Sequence, residues 1–367
     1  MLLMAGWARE AGLQPGVDGH GNLWALPPNW AGPLITSGSH VDTVPDGGRF
    51  DGALGSVLGL ELVQDLADAS TDCRLGLLVF AAEEAPRFGA GTVGSRLLIG
   101  ALTRADLESL TDAAGGSAAE AQAAHVARLR EHLALVDPPL ERLRGHIEVH
   151  VAQRRGLRQL GVVTRVASPR RYEITITGAS GHAGEVTMTE RSDALAAGAE
   201  VVLGIEAAAL AEPPETVATT GTLTVSPGAV SVIPGQTTLG VDVRGVDGES
   251  LDRVVSALRA TVDLVAARRG VAAQIRLTRD GQPVALDADL VDRALDCAHR
   301  LGIPAERTWS GAGHDSQHLA AVAPTLLVFV PLHGGESHTP QEGADLDEIL
   351  DAAQLVAAVV RSRGAAA

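Results

Sequence analysis

Aromatic residues are scarce in this chain of 367 residues: one Tyr, four Phe and four Trp make up 2% of it. Its cores must therefore be built from Ala, Val and Leu, and a hydrophobic content of 46% suffices for that. Cysteine is as rare. Cys73 and Cys297 lie far apart without CxxC spacing, which argues against a disulfide framework and a thiolate zinc site. Positive charge is short too, because 29 Lys plus Arg face 45 Asp plus Glu, a net charge of −16. Such a surface repels phosphate backbones and anionic lipid, so neither nucleic acid nor membrane is an expected partner. No apolar run is long enough to span a bilayer, and Met1-Leu2-Leu3-Met4 lacks a basic flank and is closed by Arg9 and Glu10. With no signal peptide to read, the expected location is the cytoplasm.

The chain is long enough for two domains. Pro33 to Ser37 is a short apolar run, Gly52 to Ala69 has the period of a helix, and Cys73 to Ala82 is a continuous apolar run of the kind buried on both faces. Ala118 to Leu135 reads as a helix, and Ile147 to Ala152 and Gly161 to Ala167 as strands. From Tyr172 the style changes. Tyr172 to Thr177 alternates, Arg191 to Leu210 is an Ala-rich helix, Thr216 to Val225 and Thr237 to Arg244 are strands, Leu251 to Ala267 is a helix, and Ala273 to Thr278 alternates again. That order is β-α-β-β-α-β, a ferredoxin-like unit complete in itself. After Gly281-Gln282-Pro283 the earlier style resumes with helix Leu286 to Leu301, strand Thr325 to Val330 and helix Leu346 to Val360. The expected fold is an α/β domain, a mixed sheet flanked by helices over residues 1–168 and 283–367, interrupted by a small domain over 169–282.

The chemistry-bearing groups sit at ends of apolar runs. His40 and Asp42, two residues apart, point to the same side of an extended segment, where Asp42 could orient His40 by accepting its second N–H. Asp51 precedes a helix and could cap it or bind a metal. Glu83 and Glu84 follow a buried strand directly; their side chains diverge, so one could ligate and the other act as base. His150 ends a strand and His338 follows one. Counted together, His40, Asp51, Glu84, His150 and His338 are one ligand too many for a tetrahedral site with a water position. They fit two zinc ions if one carboxylate, most naturally Asp51, bridges them.

The stretches GSHVDTVPDGGRFDGALG, EEAPRFGAGTVGSR, EVHVAQ, GASGHAG, SVIPG with VDVRG, SGAGHDSQ and FVPLHGGESHTPQE run in one order from Gly21 to Glu342. In them the chain resembles the di-zinc aminoacylase and carboxypeptidase superfamily, and within it the N-carbamoyl-L-amino acid hydrolases and allantoate amidohydrolases. The resemblance implies two zinc ions, with Mn2+, Co2+ or Ni2+ as substitutes, and a small ureido or N-acyl acid as substrate. It implies that His40 and His150 complete one metal site with Asp51, and Glu84 and His338 the other. It makes Glu83 the general base and Asp42 the carboxylate behind His40. It assigns His182 to the oxyanion, often across a dimer interface, Arg244 to the substrate carboxylate and Gln153 to substrate contact. The inserted domain would then be a lid through which two copies pair.

Three departures accompany it. Where the resembled stretch reads HIEQG, this chain has His150-Val151-Ala152-Gln153-Arg154, so an acid has become Ala152 and a glycine Arg154. Ser231 stands where an asparagine is expected. The resemblance also implies further helical sequence before the stretch like Trp7 to Leu13. The changes at Ala152, Arg154 and Ser231 fall near the expected substrate position and on no metal ligand. The expected activity is hydrolysis of a non-peptide C–N bond of an N-carbamoyl acid; the alternatives are an aminoacylase or dipeptidase on the same site, or a zinc-dependent binding protein without catalysis.

Overall fold

The structure, a computed structural model, describes residues 1–66 and 73–364. The chain divides into two compact units, Met1–Val166 with Ala285–Ala367, and Ala167–Val284. The elements of the first stretch are α1 (Leu2–Glu10), β1 (Gln14–Val17), β2 (Leu23–Leu26), β3 (Leu34–Ser37), α2 (Ala53–Asp65), β4 (Arg74–Val79), α3 (Val93–Leu98), α4 (Arg104–Ser109), α5 (Ala118–Arg130), β5 (Ala134–Leu135), β6 (Leu143–Val151) and β7 (Leu160–Val166). The smaller unit contributes β8 (Ser168–Thr177), β9 (Gly181–His182), α6 (Ala194–Leu210), β10 (Val217–Ser226), β11 (Val232–Ile233), β12 (Gln236–Gly245), α7 (Gly248–Arg269) and β13 (Ala272–Asp280). After β14 (Val284–Ala285) come α8 (Ala288–Leu301), β15 (Ala305–Ser310), α9 (Asp315–Leu319), β16 (Thr325–Val330) and α10 (Leu346–Gly364).

The larger unit is built on one mixed sheet in the order β7-β16-β6-β3-β4-β2-β1-β5, with β15 beside β7. Its centre, β16-β6-β3-β4, is parallel throughout. Those strands are apolar because helices cover both faces: every residue of β16 is buried, and in β4 only Arg74 is exposed. Helix α2 reads as apolar nearly all round because it is packed that tightly. A Cβ at Gly55 would sit 1.9 Å from the Val149 carbonyl oxygen, so only glycine permits this approach of helix to strand. α8 instead buries one stripe, Leu290, Val291, Ala294, Cys297 and Ala298, with the spacing of an amphipathic helix.

The expected helix 118–135 ends early, at Arg130. Ser117 and Glu120 form a reciprocal capping box at its start, but Ala134 and Leu135 leave it to pair in parallel with Gly16 and Val17. The last residues of the expected helix 52–69, from 67 on, lie outside the described residues. Helix α1 and the hairpin β1–β2 have no counterpart among the elements expected from the sequence. Their hairpin is organised by a buried carboxylate: Asp18 accepts from Asn22 N, Asn22 Nδ2 and Trp24 Nε1 at 2.8 to 3.0 Å.

In the smaller unit β8, α6, β10, β12, α7 and β13 follow one another as β-α-β-β-α-β. The sheet is antiparallel in the order β10-β12-β8-β13. Its core joins Ile174, Ile176, Leu239, Val241 and Val243 of the strands to Val201, Ile205, Leu251, Val254 and Leu258 of the helices. Each such side chain contributes about 1.5–3 kcal/mol through removal from water.

Candidate metal centre

Parallel strands side by side place their carboxyl ends along one edge, and loops leaving that edge meet there. β3 delivers His40 to it, β4 delivers Glu83 and Glu84, β6 carries His150 at its penultimate position, and the loop after β16 carries His338. Asp51 arrives just before α2. Gly52 starts that helix with φ 67°, and a Cβ on it would lie 2.3 Å from the His40 ring. A side chain there would push the imidazole aside.

The first group is His40, His150 and Asp51, all buried. His40 Nδ1 lies 3.0 Å from the Asp42 carbonyl oxygen, and His150 Nδ1 3.0 Å from that of Val151. Donating there turns both Nε2 atoms inward as lone-pair donors, 3.3 Å apart. Asp51 Oδ1 sits 3.1 Å from the Nε2 of His150 and 3.7 Å from that of His40. The second group shares the same carboxylate: His338 Nε2 is 3.0 Å from Asp51 Oδ2 and 3.1 Å from Glu84 Oε1. Asp51 Oδ1 and Glu84 Oε1 are buried with no hydrogen-bond partner. Inward lone pairs and orphaned carboxylate oxygens need a positive charge among them, so these residues fit two cations bridged by Asp51. The cap reading of Asp51 fails here, because its carboxylate makes no capping bond to α2.

The same carboxylates favour protonated imidazoles at His150 and His338. Burial pulls His150 down, but the adjoining Asp51 and Glu148 carboxylates outweigh it and raise the imidazole to about 9. Asp51 and Glu84 raise His338 to about 10. Asp51 itself is held well below the usual carboxylate range: burial opposes this, and His150, His338 and His40 overcome it. Glu83, 3.9 Å from His40 Nε2, is pushed well above its ordinary value by burial and then by the Asp315, Glu84, Glu148 and Asp42 carboxylates.

Asp42 requires a correction. Its carboxylate is 3.7 Å from His40 Nδ1, and the His40 ring is held by the Asp42 backbone carbonyl instead. The carboxylate oxygens accept from the backbone N–H groups of Glu83 and Glu84 at 3.3 and 3.0 Å, so Asp42 fixes the turn that aims those two side chains. Gln153 meets the cluster directly: its amide nitrogen donates to Asp51 Oδ2 at 2.9 Å and lies 3.1 Å from His338 Nε2.

Four further residues at the site were not singled out by sequence pattern. Glu148 is fully buried under the site, accepting from Ser39 Oγ at 2.7 Å and from Ser316 N at 3.0 Å. The His314 ring meets His150 edge-on with centroids 4.5 Å apart; burial and then His150 hold it down at about 3, so it stays neutral. Asp315 is buried on Ser95 Oγ. Glu342 ties two loops together, accepting from the N–H groups of Phe50 and Asp51 at 2.8 and 3.0 Å and from Ser337 Oγ at 3.0 Å. EVHVAQ, HDSQ and PQE are within the resembled stretches, so only the neighbourhood of Glu148, His314, Asp315 and Glu342 was marked. Glu342→Ala is expected to weaken metal retention about 10- to 100-fold, the usual cost of losing a partner that orients a ligand. Metal titration against a competing chelator checks it.

His182, Ser231 and Arg244 lie in the smaller unit. His182 is exposed on β9, its Nδ1 accepting the Gly184 N–H at 3.1 Å, and β9 pairs with β11. The Ser231 carbonyl accepts the Ala183 N–H at 2.9 Å, so these two are neighbours. Arg244 is not. It pairs with Asp242 at 2.8 and 3.2 Å near the far end of β12, and the strand from Gln236 to Arg244 is about 26 Å long.

Residues 36–362 match the model of peptidase family M20/M25/M40. The chain belongs to this family. Among its relatives in the family, an uncharacterized hydrolase of Haemophilus influenzae is 36% identical over 326 residues, covering 86% of this chain and 78% of that protein. An N-carbamoyl-L-amino-acid amidohydrolase of Paenarthrobacter aurescens is 34% identical over 336 residues, covering 90% and 81%. A crystal structure of an amidase of the hydantoinase/carbamoylase family from Burkholderia multivorans superposes with a TM-score of 0.83 at 34% identity, covering 99% of this M20 chain and 89% of its own.

Proposed function

We propose that this M20 chain is a metal-dependent amidohydrolase that cleaves a C–N bond of a small N-carbamoyl (ureido) acid. The observation that carries the reading is the pair of ligand groups sharing Asp51, with Glu83 beside them and held by no ligand geometry of its own. The relatives named for N-carbamoyl amino acids and for carbamoylase amidases supply the substrate class. Two divalent ions, zinc in this reading, would be held by His40, His150 and Asp51, and by Asp51, Glu84 and His338. When bound, such ions polarise a carbonyl and lower the pKa of water towards neutrality.

Glu83 then takes a proton from the attacking water and passes it to the departing nitrogen. His182 steadies the oxyanion, and Arg244 and Gln153 hold the substrate, with Ser231 beside His182. With N-carbamoyl amino acid and water as reactants, the balanced products are amino acid, ammonia and carbon dioxide. The smaller unit is read as a ferredoxin-like lid over 169–282. The separation of His182 from Arg244 along that unit supports a homodimer in which the two residues serve different sites.

Ammonia release by metal-reconstituted protein over N-carbamoyl amino acids, N-carbamoyl-β-alanine, allantoate and N-acetyl amino acids tests the reading. Release from the ureido acids is expected. Acetate from the N-acetyl acids alone would make the enzyme an aminoacylase, and a blank panel would remove the hydrolase.

Metal binding is also expected to release protons. His150 at about 9 and His338 at about 10 carry protons at neutral pH in the metal-free chain, and ligation requires neutral imidazoles. Apparent affinity therefore rises with pH until those values are passed. The same raised pKa values stabilise the metal-free fold below the ordinary His value, and that contribution is lost as pH climbs through 9 to 10. Calorimetry in buffers of different ionisation enthalpy counts the protons; none released at neutral pH would contradict the assignment.

A further inference from the structure

A cavity of about 910 Å3 opens beside Gln153 and His338, with Arg154, Arg155, Trp309 and Glu336 on its walls. Its charge runs against that of the chain. Two arginines face one glutamate before His338 is counted, in a protein of net charge −16. Arg154 is the residue that stands where the resembled HIEQG stretch has glycine. It follows Gln153 directly, and Gln153 touches both Asp51 and His338, so the guanidinium stem starts one residue from the metal cluster.

Arg154 is also held in place. Its guanidinium carbon lies over the Trp309 ring, 5.0 Å from the centroid, within reach of a cation–π attraction. Gly335, at φ 67°, packs against the same backbone: a Cβ there would come within 2.6 Å of Arg155 Cα. The loop bearing His338 is thus seated on the Arg154-Arg155 segment. Arg154 Nε is buried without a hydrogen-bond partner, and among the described residues neither arginine forms a salt bridge. A guanidinium without an ion-pair partner, over an aromatic ring at the wall of an open cavity, suits a carboxylate, which it can grip with two parallel N–H groups.

We propose that Arg154, held over the Trp309 ring, is the side-chain specificity residue of this site and receives a second carboxylate of the substrate. This rests on the ureido-acid reading and narrows it: the preferred substrates are N-carbamoyl dicarboxylic amino acids, of the aspartate or glutamate class. A neutral isostere leaves the guanidinium desolvated and unpaired, which is the source of discrimination.

The test compares kcat/KM for N-carbamoyl-L-glutamate with N-carbamoyl-L-glutamine, and the aspartate with the asparagine derivative, on the metal-reconstituted enzyme. The acid is expected to be favoured about tenfold or more. The ratio should fall towards one in Arg154→Gly and Arg154→Gln, and be kept in part by Arg154→Lys. A wild-type ratio near one, or a ratio unchanged in Arg154→Gly and Arg154→Gln when both melt like wild type, would overturn the proposal. Equilibrium dialysis of glutarate against metal-free protein gives a second readout, with binding expected to weaken about tenfold in Arg154→Gln. If no ureido acid is cleaved, the parent reading fails and the dialysis still decides: glutarate binding that ignores Arg154 sinks this inference by itself.

Discussion

Glu83→Gln is expected to cost on the order of 10²–10⁴-fold in turnover, the usual range for a lost general acid–base group, while both metals stay bound. The geometry explains why chemistry and metal content should separate. Glu83 belongs to neither of the two ligand groups that share Asp51. It sits 3.9 Å from His40 Nε2 and is pressed upward by burial and by four neighbouring carboxylates, so in the metal-free chain it favours its proton. Cations at the two ligand groups would offset those negative charges and return the carboxyl to the basic form that the reaction needs. Gln keeps the shape and cannot take the proton. Metal analysis together with turnover on an N-carbamoyl amino acid checks this; near-normal turnover in a variant with full metal would end the assignment of Glu83.

Asp51→Ala is expected to do more, because it removes the one group common to both sites. His40 and His150 would lose the carboxylate that lies between them, His338 would keep only Glu84, and the loss of one partner from a buried charged set costs about 3–5 kcal/mol. At about 1.4 kcal/mol per factor of ten, that is a loss of roughly 10²- to 10³-fold or more in metal affinity. Metal per chain is expected to fall well below two after dialysis, and activity to vanish with it. The raised value of His150 should fall as well, since Asp51 is its largest upward influence, and that of His338 should drop towards what Glu84 sustains by itself. Titration of the metal-free variant by NMR reads this directly, and full metal content in Asp51→Ala would remove the bridge.

Much of this was legible in the chain. Apolar runs such as Thr325 to Val330 mark strands buried on both faces, and the groups at or just beyond the ends of such runs, His40, Glu83, Glu84, His150 and His338, are the ones that converge. The change to alternating strands from Tyr172 marks the smaller unit, because a sheet with helices on one face keeps the other face polar. Less was legible at the N-terminus, where β1 and β2 are four residues each and depend on the buried Asp18 for their turn. Short strands leave too few positions for a period to show.

The residue types beside the chain's strands and before α2 set by themselves a count of five groups, one too many for a tetrahedral site with a water position and suited to two cations if Asp51 bridges them. Side-chain partners were decided by tertiary structure alone. Asp42, two residues from His40, serves Glu83 and Glu84 instead, because the close neighbour of His40 Nδ1 is a backbone carbonyl. Glu342 reaches Asp51 across a separation of 291 residues, and Arg154 meets the ring of Trp309, which lies on a strand far along the chain. Sequence spacing sets which residues leave a strand edge together; the direction of each side chain, and the partner it meets, is set by packing among segments far apart in the chain.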